Sequence, residues 1–202
     1  MLKYSIIRVG ILQVNCYLLW NDGAKEALVI DPGDEPEAII GAIAERGLVP
    51  VGILLTHGHV DHIRGVSDVS AKYGVPVWIH EADRALYANP DNAIMPWIPA
   101  AQDLPDIAEA VPELPGCPFE IIHTPGHTPG GVCYYFKDAK ELFSGDTLFQ
   151  GTYGRTDFPG GNAQALFSSI REKLFTLPDD VNVHPGHNEP TTIGTEKTRQ
   201  HF

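Results

Sequence analysis

Apolar positions along the 202-residue chain recur with two different periods. Short runs rich in β-branched residues predict strands over 27–30, 51–55, 76–79, 119–122 and 181–183, with hairpins over 4–19 (punctuated at Gly10) and over 132–136 with 141–143. Helical spacing appears between them. Ile39, Ile40 and Ile43 share a face over 36–46, where acidic residues open the segment and Gly47 follows its end. Ile63, Val66, Val69 and Tyr73 mark a second helix ending at Gly74. His80-Glu81-Ala82-Asp83 opens a third, with His80 as a capping or packing residue, and Asn162 is placed to cap a fourth carrying Leu166, Phe167, Ile170 and Leu174. Residues 89–118 fit neither period. Their prolines, from Pro90 to Pro118, exclude a long helix or a central strand, and such a segment covers a site or wraps a surface. Met95, Trp97 and Ile98 are its candidates for lining a substrate mouth.

The predicted strands end in chemistry. Residues 51–55 run into Thr56-His57-Gly58-His59-Val60-Asp61-His62. Extended backbone sends residues i and i+2 to one side, so His57 and His59 can aim at one point. Gly58 lets the chain bend, so Asp61 and His62 can aim at a second point nearby. Imidazoles and a carboxylate this dense are costly to desolvate unless a divalent metal satisfies them. Residues 119–122 lead to His123 and then to Gly126-His127, where Gly126 is expected to let the His127 backbone approach a metal and His123 to make a structural hydrogen bond. Residues 141–143 lead to Ser144-Gly145-Asp146, and 181–183 to His184-Pro185-Gly186-His187. Asp31, after the strand at 27–30, reads either as a partner orienting a ligand histidine or as a turn residue. Separate strands that each deliver Gly with His or Asp are how distant segments converge on one sheet edge.

Bulk properties narrow the classes. A hydrophobic content of 43% with 20% charged residues gives an ordinary globular core, expected as one domain over 1–202. A net charge of -12 and no basic run argue against a nucleic-acid surface or an anionic membrane, whereas a small anionic substrate stays compatible because metal would reverse the local sign. Cys16, Cys117 and Cys133, an odd set without C-x-x-C spacing, argue against a disulfide framework and for a reducing compartment. The N-terminus reads as a strand rather than a signal peptide, and no apolar run approaches the ~20 residues of a membrane span. The expectation is a soluble cytoplasmic protein, with homo-oligomerisation left open.

His57-x-His59-x-Asp61-His62, His127, Asp146 and His187, in that order, resemble the metallo-β-lactamase superfamily over nearly the whole chain. The resemblance implies an α/β fold, an αββα sandwich with a binuclear metal site at one edge. It implies one metal on His57, His59 and His127, another on Asp61, His62 and His187, and Asp146 as the bridge. The two divalent ions would be zinc, with iron or manganese as alternatives, since mixed His/Asp ligation suits all of them. Within the superfamily, THGHVDH, TPGHTPG, SGDTLF and PGH are similar to glyoxalase II (hydroxyacylglutathione hydrolase) and its short relatives. True β-lactamases often place a cysteine among the ligands, and here none lies near Asp61 or Asp146. The chain runs 15 residues past His187 (187 to 202), short of the helical C-terminal domain of typical glyoxalase II.

The implied reaction is hydrolysis of a small-molecule thioester such as S-lactoylglutathione, with two ions ~3.5–4 Å apart bringing the pKa of a shared water toward ~7 to give hydroxide as nucleophile. Asp61 would act as ligand and as hydrogen-bond acceptor from the nucleophile. Tyr153 and Arg155 could anchor a substrate carboxylate, or Arg155 could simply pair with Asp157. Two alternatives remain. Residues 154–158 (Gly-Arg-Thr-Asp-Phe) resemble a loop of mononuclear iron persulfide dioxygenases, which would use His57, His127 and Asp146, and equally a loop of short glyoxalase II-like proteins. A metal-dependent nuclease fits the ligands and is opposed by the acidic charge.

Overall fold

Burial on both faces of the strands explains why their apolar alternation is imperfect in the sequence. The structure is a computed structural model that describes residues 1–200. In chain order the elements are β1 (Leu2–Val9), β2 (Val14–Asn21), β3 (Glu26–Ile30), α1 (Pro36–Glu45), β4 (Val49–Leu54), α2 (Val60–Ile63), α3 (Val66–Tyr73), β5 (Val77–Trp78), α4 (Arg84–Ala88), β6 (Glu120–His123), β7 (Val132–Phe136) and β8 (Glu141–Gly145). They continue with β9 (Leu148–Phe149), β10 (Thr152–Tyr153), α5 (Ala163–Glu172), β11 (Asn182–Pro185), β12 (Thr191–Thr192) and α6 (Ile193–Arg199). One five-stranded sheet has the order β1-β2-β3-β4-β5 and a second the order β12-β11-β8-β7-β6, with β9 and β10 forming a separate two-stranded ribbon.

The cores identify the layers. On β2, Tyr17 and Leu19 join Leu28, Ile30 and Leu54 of their own sheet and Tyr134, Phe136 and Phe143 of the other, which is the interior between the sheets. Cys16 and Leu18 point the opposite way, onto Ile39 and Ile43 of α1 and Val66 and Val69 of α3. On β7, Val132, Tyr134 and Phe136 face the sandwich interior. Its alternate residues Cys133 and Tyr135 pack with Leu166 and Ile170 of α5 and Ile193 of α6. The result is the expected αββα sandwich, in which period-2 alternation sorts two apolar sets instead of separating apolar from polar.

Several elements depart from the sequence reading. The helix predicted through Ile63 and Tyr73 is two helices, because Gly65 N donates to Pro32 O at 2.9 Å and not into the preceding turn. The strand predicted last is followed by β12 and α6, which carry too few apolar residues to announce themselves. The proline-rich segment wraps the first sheet: Ala108 N donates to Val77 O, Ser67 Oγ to Asp103 O, and Ala101, Leu104 and Ile107 pack on the core. His80 caps the turn that follows it, accepting from Ala82 N, and stacks on His123 at 4.1 Å. Cys16, Cys117 and Cys133 are free and buried, and among the described residues no helix is long and apolar enough to cross a membrane.

Candidate metal centre

The site begins where β4 stops. Asp31, at the end of β3 with φ +50, accepts from Thr56 N (2.8 Å) and Thr56 Oγ1 (2.6 Å), and its Oδ2 lies 2.9 Å from His62 Nδ1. The partner reading of Asp31 is the one realised, since its carboxylate oxygens are taken up by Thr56 and His62. Thr56 O accepts from Val132 N at 2.9 Å, which locks this strand end against the second sheet.

His57, His59 and His127 bring one nitrogen each to within 4.8 Å of one another, and Asp61, His62 and His187 form a second such group. Asp146, delivered by β8, lies between the groups. Its Oδ1 is 3.4 Å from His62 Nε2, and its Oδ2 is 3.6 Å from both His127 Nε2 and His187 Nε2. The outer nitrogens of three rings face protein acceptors: His62 Nδ1 faces Asp31, His127 Nδ1 lies 2.6 Å from Arg155 O, and His187 Nδ1 lies 3.1 Å from Leu12 O. Such contacts fix ring tautomers with the opposite nitrogen turned inward.

The donor set fits divalent metal. His57 Nε2, His62 Nε2, Asp61 Oδ1 and Asp146 Oδ1 are buried without a hydrogen-bond partner, a costly arrangement for polar atoms unless a cation satisfies them. His59 Nδ1 and His127 Nε2 approach to 2.9 Å, a separation that needs a shared proton or a cation between two lone pairs. The structure thus brings the seven residues expected from the sequence together, and a further grouping of Asp31, His57 and His62 crosses the two sets.

Electrostatics sort the protein groups further. Burial, reinforced by His62 and His127, pushes the His57 imidazole well below its ordinary value, and burial takes His59 down to about 3, so both rings are neutral donors. Burial alone would raise Asp146, but His187 and His62 hold its carboxyl well below the carboxylate range. Burial would likewise depress His62, yet Asp146, Asp61 and Asp31 overcome it and raise the ring.

Sequence reasoning missed Asp83. Its side chain is fully buried and accepts from Gly58 N (3.1 Å), Thr128 Oγ1 (2.7 Å) and Gly130 N (2.5 Å). One carboxylate thus ties the loop carrying His57 and His59 to the loop carrying His127. The only signal was its acidity, which equally suits a helix start. The role expected of Gly126 is also corrected. A Cβ there would stand 2.3 Å from Leu166 Cα, and φ is +144, so glycine is required by close packing against α5 and not by approach to a metal. Gly186 borders the centre, since a Cβ would meet Asp146 Oδ1 at 2.3 Å, and Gly33 and Gly154 press on the backbone of Asp61 and Asp146.

A cavity of about 610 Å³ opens over the cluster. Ile94, Met95, Phe149 and Phe158 give it apolar walls, and Arg8, Tyr153 and Arg155 also line it. Arg155 makes two hydrogen bonds to Asp157 (2.7 and 2.6 Å) and sits 4.0 Å over the Phe158 ring, so it is both an ion-pair partner and a wall of the cavity. Of the mouth residues expected from the proline-rich segment, Met95 lines the cavity; Trp97 is 69% exposed and Ile98 is buried, and neither lines it.

The family model for the metallo-beta-lactamase superfamily matches residues 9–187. The chain belongs to the metallo-beta-lactamase superfamily. It is 41% identical, over 100% of its length and 98% of the relative's, to a hydroxyacylglutathione hydrolase, GloC, of Haemophilus influenzae. A solved structure described as the B3 metallo-beta-lactamase BLEG-1 superposes with a TM-score of 0.85 at 38% identity, covering 97% of each chain. TTHA1623, crystallised in a di-iron-bound form, superposes with a TM-score of 0.82 at 36% identity over 97% of this chain and 98% of its own. Membership in this superfamily, with its His/Asp cluster, makes the protein a metal-dependent hydrolase by class.

Proposed function

We propose that the protein hydrolyses a thioester of the S-lactoylglutathione type, with His57, His59 and His127 holding one divalent metal, Asp61, His62 and His187 the other, and Asp146 shared. The observation that carries this reading is the pair of three-residue donor sets joined by Asp146 at the floor of a cavity that also presents the Arg155 guanidinium. When bound, the metals supply a Lewis acid for the acyl oxygen and lower the pKa of a water toward ~7. Burial opposes ionisation of Asp61, but His62 and a hydrogen bond from His187 outweigh it and keep the carboxylate anionic, as a metal ligand that also accepts from the attacking water requires. Arg155 and Tyr153 bind the anionic part of the substrate, and Ile94, Met95, Phe149 and Phe158 shed water from the rest. A thiolate leaves without a proton, which suits a cavity whose lining histidines, His59, His127 and His187, are all assigned to the metals.

The reading is supported by the 41% identity to GloC, and the metal is zinc or, as in the TTHA1623 structure, iron. A second reading, a mononuclear iron dioxygenase acting on persulfides, rests on the sequence at 154–158, which resembles a loop of such enzymes as well as one of short glyoxalase II-like proteins. The test is metal content of the purified protein alongside thiol release from S-lactoylglutathione, with a β-lactam and a persulfide as competing substrates. About two metals per chain with thiol release supports the thioesterase. One iron with oxygen consumption moves the assignment to the dioxygenase, and lactam opening without thiol release moves it to a lactamase.

A further inference from the structure

The cavity holds a second guanidinium that no part of the reading above uses. Arg8, at the end of β1, lines the same space as Arg155 but at the opposite side of the donor cluster. Arg155 belongs to the His127 side, because its carbonyl lies 2.6 Å from His127 Nδ1 and its side chain rests on Phe158, whose ring is 5.3 Å from that of His59. Arg8 belongs to the His187 side. Its Nη2 donates to Glu189 Oε1 at 2.5 Å, two residues beyond His187, and its Nε to Asn15 Oδ1 at 3.4 Å. Asn15 is itself fixed, fully buried and donating to Pro185 O and Asn188 O across the base of the same loop. The cavity thus has a cation on each side of the donor cluster, each positioned by a neighbouring residue.

Both cations can change partner cheaply. The Arg8 and Glu189 side chains are 45% and 62% exposed, and exposed pairs of this kind contribute ~0–1 kcal/mol. Each guanidinium carries five N–H donors, of which the protein engages two in Arg8 (through Nε and Nη2) and two in Arg155 (through Nε and Nη2). Apolar Ile94, Met95, Phe149 and Phe158 line the walls along with the two cations.

We infer that Arg8 is a specificity-determining residue that binds a second anionic group, so that the substrate class is a thioester carrying two separated carboxylates, one for Arg155 and one for Arg8. The inference rests on the thioesterase reading for the reactive group and on the cavity geometry for the two charges. Glu189 is then the internal competitor that a substrate carboxylate displaces from Arg8.

The test compares Arg8→Gln and Glu189→Gln, both at exposed positions, in the metal-loaded protein. Two thioesters are used, S-lactoylglutathione with a carboxylate at each end and S-lactoyl-N-acetylcysteine with one. Arg8→Gln should lower the preference for the glutathione thioester, as the ratio of kcat/KM values, by ~10-fold or more, chiefly through KM, the size expected for a lost hydrogen bond between charged groups. Calorimetric binding of S-hexylglutathione, which cannot be hydrolysed, gives a second readout. Arg8→Gln should weaken it, and Glu189→Gln should strengthen it by removing the competitor. If the two variants weaken binding together, the pair is structural and the inference fails. It fails equally if the preference is unchanged in Arg8→Gln, or if wild-type protein does not bind S-hexylglutathione. Absence of turnover with both thioesters would instead overturn the thioesterase reading, leaving calorimetry to decide the role of Arg8.

Discussion

Replacing Asp83 should loosen the metal centre without touching a single donor atom. The side chain is buried, and its two oxygens satisfy two backbone N–H groups, Gly58 and Gly130, together with the Thr128 hydroxyl. In Asp83→Ala both backbone donors lose their partner in a region closed to water. At ~1–3 kcal/mol for each stranded donor the cost is about 2–6 kcal/mol, a large share of the ~5–15 kcal/mol that stabilises a typical domain. Asp83→Asn is the finer probe. Whichever way the amide is placed, its NH₂ faces either Gly58 N–H or Gly130 N–H, so one donor is stranded and the cost is about 1–3 kcal/mol. Because the two N–H groups belong to the loops carrying His57, His59 and His127, metal affinity should fall by ~10–100-fold, the usual consequence of removing a group that orients ligands. Thermal unfolding of metal-loaded protein measures the first effect, where each kcal/mol lost lowers Tm by ~2–4 °C at this chain length. Titration with a competing chelator measures the second. If Asp83→Ala unfolds at the wild-type temperature and keeps its metal against the same chelator concentration, the clamp has no energetic role.

Other consequences are testable with the same protein. Asp146→Ala should strip both metals together, since this carboxylate faces histidines of both donor sets; elemental analysis showing full retention would refute its bridging position. Arg155→Ala should raise KM more than it lowers kcat, and steady-state kinetics with an unchanged KM would assign the side chain to its pairing with Asp157 alone. In metal-free protein His62 and His187 have raised pKa values: burial opposes the shift in both, and Asp146 leads the groups that outweigh it. A pKa raised in the folded state means that the pairing is fully present below the unfolded value of ~6.5 and is lost as pH rises through the folded values. Denaturant midpoints of chelated protein should therefore fall as pH is raised above ~6.5, and flat or rising midpoints would contradict the pairing.

Much of the site was legible because a ligand is a strong signal at a strand end. The H-x-H-x-D-H run, His127, Asp146 and His187 announce themselves by residue type beside glycine, and a backbone that ends a strand there has few places to send them. Asp83 was illegible because its value lies in accepting hydrogen bonds from Gly58 and Gly130, distant residues whose approach only the folded chain creates. Arg8 was hidden in the same way, on a strand where an arginine reads as ordinary edge polarity. The strands were recognised, but their faces could not be assigned: residues such as Cys16 and Tyr17 are both buried, in different cores, so alternation carried no contrast in polarity. The split at Gly65 and the short β12 depend on single backbone hydrogen bonds and pairings that leave little trace in composition.

The hydrogen bonds of Asn15 and Tyr17 to the segment around His187 also set an order of assembly. Asn15 N donates to Gly186 O, the Asn15 side chain to Pro185 O and Asn188 O, and Tyr17 Oη to Pro185 O, so the last histidine is seated by the first hairpin. Closing a loop of that length is entropically the most demanding step in building the centre. The donors His57 and His59 come from the middle of the chain, whereas His127 is seated by Arg155 O and by the packing of Gly126 on α5, both later in the chain than Asp146. The half that requires His187 cannot exist until β2 and the segment around His187 have met. On a ribosome neither half is complete until segments beyond Asp146 have emerged, and the half with His187 also waits for the segment around that residue to dock on β2.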